Sequence, residues 1–333
     1  MTYKTKLLSA AAALAFMSGL PATAQSEELT VAYFLEWPMP FQYAKATGMY
    51  DEALGMPVKW VSFDAGTAMS AAMASGDVQI AVSQGVPPFV VATSAGQDLI
   101  LADIAVSYSE NDNCVVAETL EIEKENAKEL EGKKVGVPIG TAAHFGFLEQ
   151  MKHFDVDITT MEIVDMAPAD GAAAFAQGNL DMVCGWGGAL RRMKEHGNVL
   201  LTGAEKEELG ILVFDGISTP ANFAAEESEL LTKFLAVTEE ANAMWNAGDK
   251  KAEMLKVIAK DAGMDEAAAE ESLATFTFPT MEDKLSAKWL DGNVQNFMLG
   301  VANVFKEAGS IPVALDTYAD TVDSSYLAAA QSN

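Results

Sequence analysis

The chain has 333 residues, half of them apolar, and carries 48 acidic against 21 basic side chains, a formal charge of −27. A negative surplus on this scale excludes ordinary phosphate-backbone binding and electrostatic docking on anionic membranes, which both need basic patches. The apolar half excludes intrinsic disorder and is enough for two domains of roughly 150 residues each.

The first element is an address. Lys4 and Lys6 precede an apolar run from Leu7 to Phe16, Gly19 and Pro21 break it, and Ala22-Thr23-Ala24 forms an A-x-A cleavage site. Residues 1–24 therefore read as a secretory signal peptide, because the run is shorter than the ~20 residues of a membrane span. Its removal leaves 19 basic and 48 acidic residues, or −29.

Strands are expected at 28–34, 57–63, 78–83, 99–106, 113–117, 134–138, 160–165, 180–185 and 211–218, with short amphipathic helices between most of them. That alternation predicts α/β architecture with parallel sheets covered on both faces. From about Ala224 the pattern turns helical and acidic. One long helix is expected over 224–246, and shorter ones over 249–262, 264–275, 280–291 and 294–308. Two Cys, Cys114 and Cys184, make either a disulfide or two buried thiols, and export favours the bond.

Shifted by 102 residues, the sequence partly matches itself: Ala65, Ala71, Ala72, Ala74, Gly76 and Gly85 meet Ala167, Ala173, Ala174, Ala176, Gly178 and Gly187. Both stretches read as strand, loop, Ala-rich helix, Gly cap, strand and Gly turn. The repeat predicts two similar lobes: lobe one over 25–109 plus 219–333 with the C-terminal helices, lobe two over 110–218. Two chain crossings make a hinge, and ligands of open α/β sheets sit at the carboxyl ends of strands. That rule selects four turns facing one cleft, at 35–40, 83–87, 139–144 and 185–188.

Motifs for catalysis fail in this chain. Ala81-Val82-Ser83-Gln84-Gly85 lacks the first Gly of a nucleophile elbow, and Gly185-Trp186-Gly187-Gly188 lacks the third Gly of a dinucleotide loop, having Leu190 there. His144, His153 and His196 have no metal-ligand spacing, so neither metal nor cofactor is expected. The turns suit binding instead. Gly140-Thr141-Ala142-Ala143-His144 opens a helix whose free N–H groups can hold a small anion, with Thr141 as cap or ligand donor and His144 as ring donor or packed residue. Ser83, Gln84 and Gly85 offer a hydroxyl, an amide and N–H groups. The only two Arg, Arg191 and Arg192, lie inside a helix beyond Trp186, so no Arg fork is expected on the ligand, and a sulfonate-like oxyanion fits neutral donors. Glu36 reads as a helix-start acid or an ammonium partner. Asp215, inside the apolar run 211–217, needs either a backbone hydrogen bond or a bound cation. Trp37, Phe41, Trp186 and Phe278 are candidate walls, with Trp186 foremost. Together these residues call for a small zwitterion.

On WVSFDAGTAMSAAMASGDVQIAVSQGVPPFVVA, LEGKKVGVPIGTAAHFGFLEQMKHF and EIVDMAPADGAAAFAQGNLDMVCGWGGAL, the chain resembles the periplasmic substrate-binding components of taurine, sulfonate and nitrate ABC transporters, most of all the taurine-binding proteins. The resemblance runs over most of 28–325. It implies a two-lobed type II periplasmic binding-protein fold with a hinge and a ligand cleft. It also implies no enzymatic step, a small ligand such as taurine, and delivery to permease subunits by a periplasmic monomer. The family's site residues map onto Glu36, His144, Trp186 and Asp215. The alternatives are another ligand (an alkanesulfonate, nitrate or a cationic osmolyte), an enzyme like the pyrimidine-synthesis relatives, and an interaction protein without a small ligand.

Overall fold

A computed structural model describes Met1 and residues 28–331. The signal peptide expected at 1–24 lies outside the described residues, apart from Met1. Among the described residues ten strands form: β1 Leu29–Tyr33, β2 Val58–Ser62, β3 Ile80–Gly85, β4 Leu99–Ser107, β5 Asp112–Ala117, β6 Lys134–Val137, β7 Glu162–Asp165, β8 Met182–Trp186, β9 Gly197–Val199 and β10 Phe214–Pro220. They make two five-stranded sheets, ordered β2-β1-β3-β10-β4 and β7-β6-β8-β5-β9. The same order twice is the architectural form of the sequence repeat.

Each sheet has a parallel core and one antiparallel strand. In the first, β10 runs against both β3 and β4; in the second, β5 runs against both β8 and β9. The expected boundary at 218/219 is thereby corrected. It left the return strand in lobe two, whereas its hydrogen bonds put β10 in the sheet of lobe one, so the chain has crossed back before Phe214. The crossings are the turn between β4 and β5, and the longer segment between β9 and β10, which holds the helix Gly203–Glu208.

The expected elements needed adjustment; the helix expected over 280–291 is confined to Met281–Lys284. The helix over 224–246 is two, Ala221–Glu226 and Ser228–Ala247, separated at Glu227, whose φ of −116° and ψ of 39° leave the helical region. The three-residue strand β9 was missed, because Gly-Asn-Val carries no alternation to detect. Most C-terminal helices pack on lobe one, but Asn293–Glu307 lies against the helices Val86–Ser94 of lobe one and Ala142–His153 of lobe two. Phe297 and Phe305 of that helix meet Phe145 edge-on.

Cys114 and Cys184 are directly opposite one another on β5 and β8 and are joined by a disulfide. Both are buried. In the same register Asp112 stands opposite Trp186.

Candidate functional site

The four turns converge on one cavity between the lobes. Trp37 comes from the first, Gly85 from the second, Thr141 and Ala142 from the third and Trp186 from the fourth; Phe34, Tyr108, Asp112 and Asp215 close the wall. Its free volume is about 20 Å³, room for about one water molecule. A larger guest must part the lobes. Outside it, past Phe34 and Trp186 with ring centroids 6.1 Å apart, opens a second chamber of about 330 Å³.

Lobe one supplies a relay. Ser83 has φ +66°, in the left-handed region that a non-glycine residue occupies only under constraint. The turn sets its hydroxyl between two partners: Trp37 Nε1 donates to Ser83 Oγ at 2.8 Å, and Ser83 Oγ donates to Asp215 Oδ2 at 2.6 Å. The Tyr108 hydroxyl donates to Asp215 Oδ1. Both oxygens of this buried carboxylate therefore have donors. Burial nevertheless pushes its carboxyl up to about 7, with Asp112 adding to the rise and the two hydroxyls opposing it.

Asp112 is the acid that sequence reasoning missed. It is fully buried at the start of β5, and neither carboxylate oxygen meets a hydrogen-bond donor among the described residues. Burial pushes its carboxyl up to about 7 as well. Buried Lys206 opposes that rise, yet its ammonium donates to the backbone carbonyl of Asp112 rather than to the side chain. Two bare acceptor atoms on a cavity wall are a deficit that a folded chain rarely leaves.

Four expected site residues, Ser83, Gln84, His144 and Glu36, do not line the cavity and are corrected. Gln84 does not line the cavity: its Nε2 donates to Gly66 O at 2.9 Å and Ser70 Oγ at 2.7 Å, and its Oε1 accepts from Ser218. Gly85 lines the cavity and Gln84 turns into its own lobe, while Ser83 does not line it and sits behind Trp37 and Asp215, bonded to both. His144 does not line it either. It lies two residues past Ala142, about 200° round the helix. Its Nδ1 accepts from Gly140 N–H at 3.2 Å and its ring stacks on Phe305 at 5.1 Å. Burial pushes its pKa down to about 4, so the ring is neutral at pH 7. Glu36 lies in the outer chamber, where Arg192 Nη1 reaches its carboxylate oxygens at 3.0 and 2.9 Å. The Arg expected to stay apart has taken the acid expected for the ligand.

Of the rest, Thr141 lines the wall but its hydroxyl caps the helix, accepting from His144 N–H at 3.4 Å and donating to Pro138 O at 2.6 Å. What remains for an anion is the backbone N–H of the first turn, which has no intrahelical acceptor. Phe41 stacks on Trp60 and Phe278 packs against Phe276, both in the core of lobe one.

The family model described as "NMT1/THI5 like" matches residues 38–247. The chain belongs to the NMT1/THI5-like family. A relative of full length is the taurine-binding periplasmic protein of Escherichia coli K12, 26% identical over 328 residues, covering 97% of this chain and 98% of that one. Two solved structures share the fold. The alkanesulfonate-binding protein SsuA of Xanthomonas axonopodis pv. citri bound to MOPS superposes with a TM-score of 0.73 at 20% identity, over 90% of this chain and 99% of that one. The periplasmic aliphatic sulphonate binding protein SsuA of Escherichia coli gives 0.69 at 22% identity, over 87% and 90%. The architecture of this NMT1/THI5-like chain is thus that of the periplasmic binding proteins.

Proposed function

We propose that the chain is the exported solute-binding component of an ABC importer, that it closes as a monomer around a small primary aminosulfonate such as taurine, and that it delivers the ligand to membrane permease subunits. The observation that carries this reading is Asp112, a buried carboxylate with two bare oxygens beside a second buried carboxylate. A ligand ammonium would satisfy both and restore the charge balance. The helix start at Thr141 and Ala142 suits the opposite end, and among the described residues no Lys or Arg side chain lines the cavity. Donors of that kind hold a weakly basic sulfonate through backbone dipoles. The relative named for taurine supports the same choice.

A second reading takes the aromatic walls as a cage for a quaternary ammonium. Such a cation offers no N–H to Asp112, which favours the primary amine. An enzyme of cysteine chemistry is disfavoured because Cys114 and Cys184 are bonded to each other and buried. Calorimetric titration of the ligand-stripped protein separates the readings. Taurine should bind, and ethanesulfonate, which lacks the amine, should bind at least about a hundredfold more weakly, because it leaves a buried acid unpaired. Equal affinity would remove the ammonium role. Binding of glycine betaine in place of taurine would establish the cage.

A further inference from the structure

We infer that Glu36 and Arg192 form a latch across the mouth of the cleft, and that this latch sets how long the lobes stay closed. Glu36 follows β1 in lobe one; Arg192 belongs to the helix Gly187–Lys194 of lobe two. One guanidinium nitrogen spans both carboxylate oxygens, at 2.9 and 3.0 Å. The pair stands in the outer chamber, apart from the inner cavity and its carboxylates. It therefore acts on closure whatever ligand the cavity takes.

The contact has a built seat. Glu36 is held at φ +52°, with its N–H donating to Ala262 O at 2.8 Å. Facing it are Gly187 and Gly188. A Cβ on Gly188 would lie 2.6 Å from Glu36 Oε2, and one on Gly187 would lie 2.8 Å from Glu36 O and 3.1 Å from the Trp37 ring. Only residues without side chains let this turn of lobe one settle on the helix start of lobe two. The other Arg of the chain, Arg191, pairs with Glu195 on its own helix at 3.6 Å, so Arg192 alone of the two reaches across the cleft.

Exposure decides what the pair does. The side chains are 38% and 41% exposed, so water and salt screen them and the pair adds little to folding. Between lobes that can part, the same modest energy acts on the open–closed equilibrium. A partly hydrated ion pair holds the cleft shut without making release slow, and added salt should loosen it.

The experiment uses the mature chain with one fluorescent dye on each lobe, and reads the closed fraction and opening rate without ligand. Arg192→Gln and Glu36→Gln should each lower the closed fraction, and speed opening by about fivefold, the factor an exposed ion pair of ordinary strength represents. Raised salt should do the same to the native chain and almost nothing to Arg192→Gln. The charge swap, Glu36→Arg with Arg192→Glu, should recover closure. Single variants that open at the native rate, or a swap no better than either single variant, would overturn the latch. Because the dyes report closure directly, failure of taurine to bind would overturn the proposed ligand and leave this measurement intact.

Discussion

Asp112→Asn is expected to lose the ligand and gain stability. Truncating one member of a buried charge pair typically costs about 2–5 kcal/mol of binding, so affinity for a primary ammonium ligand should fall roughly thirtyfold or more. Without ligand the change runs the other way. Burial pushes the Asp112 carboxyl up to about 7, well above the value of about 4 in an unfolded chain. A carboxyl raised in this way contributes stability that is present below the unfolded pKa and is lost as pH rises through the folded one. At about pH 8 the native protein therefore carries a buried charge that the Asn variant lacks, and the variant should melt higher. The gap should narrow as pH falls from about 8 to about 6.5. Within that window His144, whose folded pKa is near 4, stays neutral. Asp103, also pushed up to about 7 by burial, is common to both proteins and cancels. Ligand affinity of the native protein should weaken over the same descent, as Asp112 and Asp215 take up protons. Calorimetry paired with thermal melts at the two pH values checks both halves. An Asn variant that binds taurine normally, or melts lower at both pH values, would sink the assignment.

Replacing Cys114 and Cys184 by Ala is expected to be strongly destabilising. The bond closes a loop with a sequence separation of 70, and the loss of unfolded-state restraint is about 4 kcal/mol by the chain-entropy relation. At about 2–4 °C per kcal/mol for a chain of this class, melting should drop by roughly 10 °C. Binding should suffer too. The bond joins β5 to β8 two residues from the facing pair Asp112 and Trp186, so it fixes the spacing of an acceptor and a wall of the cavity. Thermal melts with taurine titration at a temperature where the variant is fully folded separate the effects. Native affinity there would show that the sheet holds the spacing unaided.

The repeat, the two like lobes it implies and the four turns that meet at the cavity were legible because they rest on local periodicity and on glycines at turns. Asp215 was legible because a charge inside Ile211–Ile217 is anomalous by itself. Asp112 was hidden by its neighbours: Glu110, Asn111 and Asn113 make the stretch look like a solvated loop, and burial comes only from the insertion of β5 between β8 and β9. Glu36 was read by its position at a helix start, but its partner stands 156 residues away and no local pattern announces it. His144 looked like a ligand donor because it shares a turn with Thr141. Its direction is set by the ring of Phe305, on a helix from the far end of the chain.

Both cavity carboxylates sit at the start of strands that follow a crossing: Asp112 opens β5 and Asp215 is the second residue of β10. Points beside a pivot travel little when two bodies rotate about it, and points far from it sweep widely. The acids therefore stay near their final separation at every angle of the lobes, as a standing cradle at the axis. The pair Glu36 and Arg192, in the outer chamber, rides farther out on the lever. For the proposed ammonium ligand such a geometry implies an order of capture: the acids meet the cation first, and the meeting of Glu36 with Arg192 then completes the enclosure.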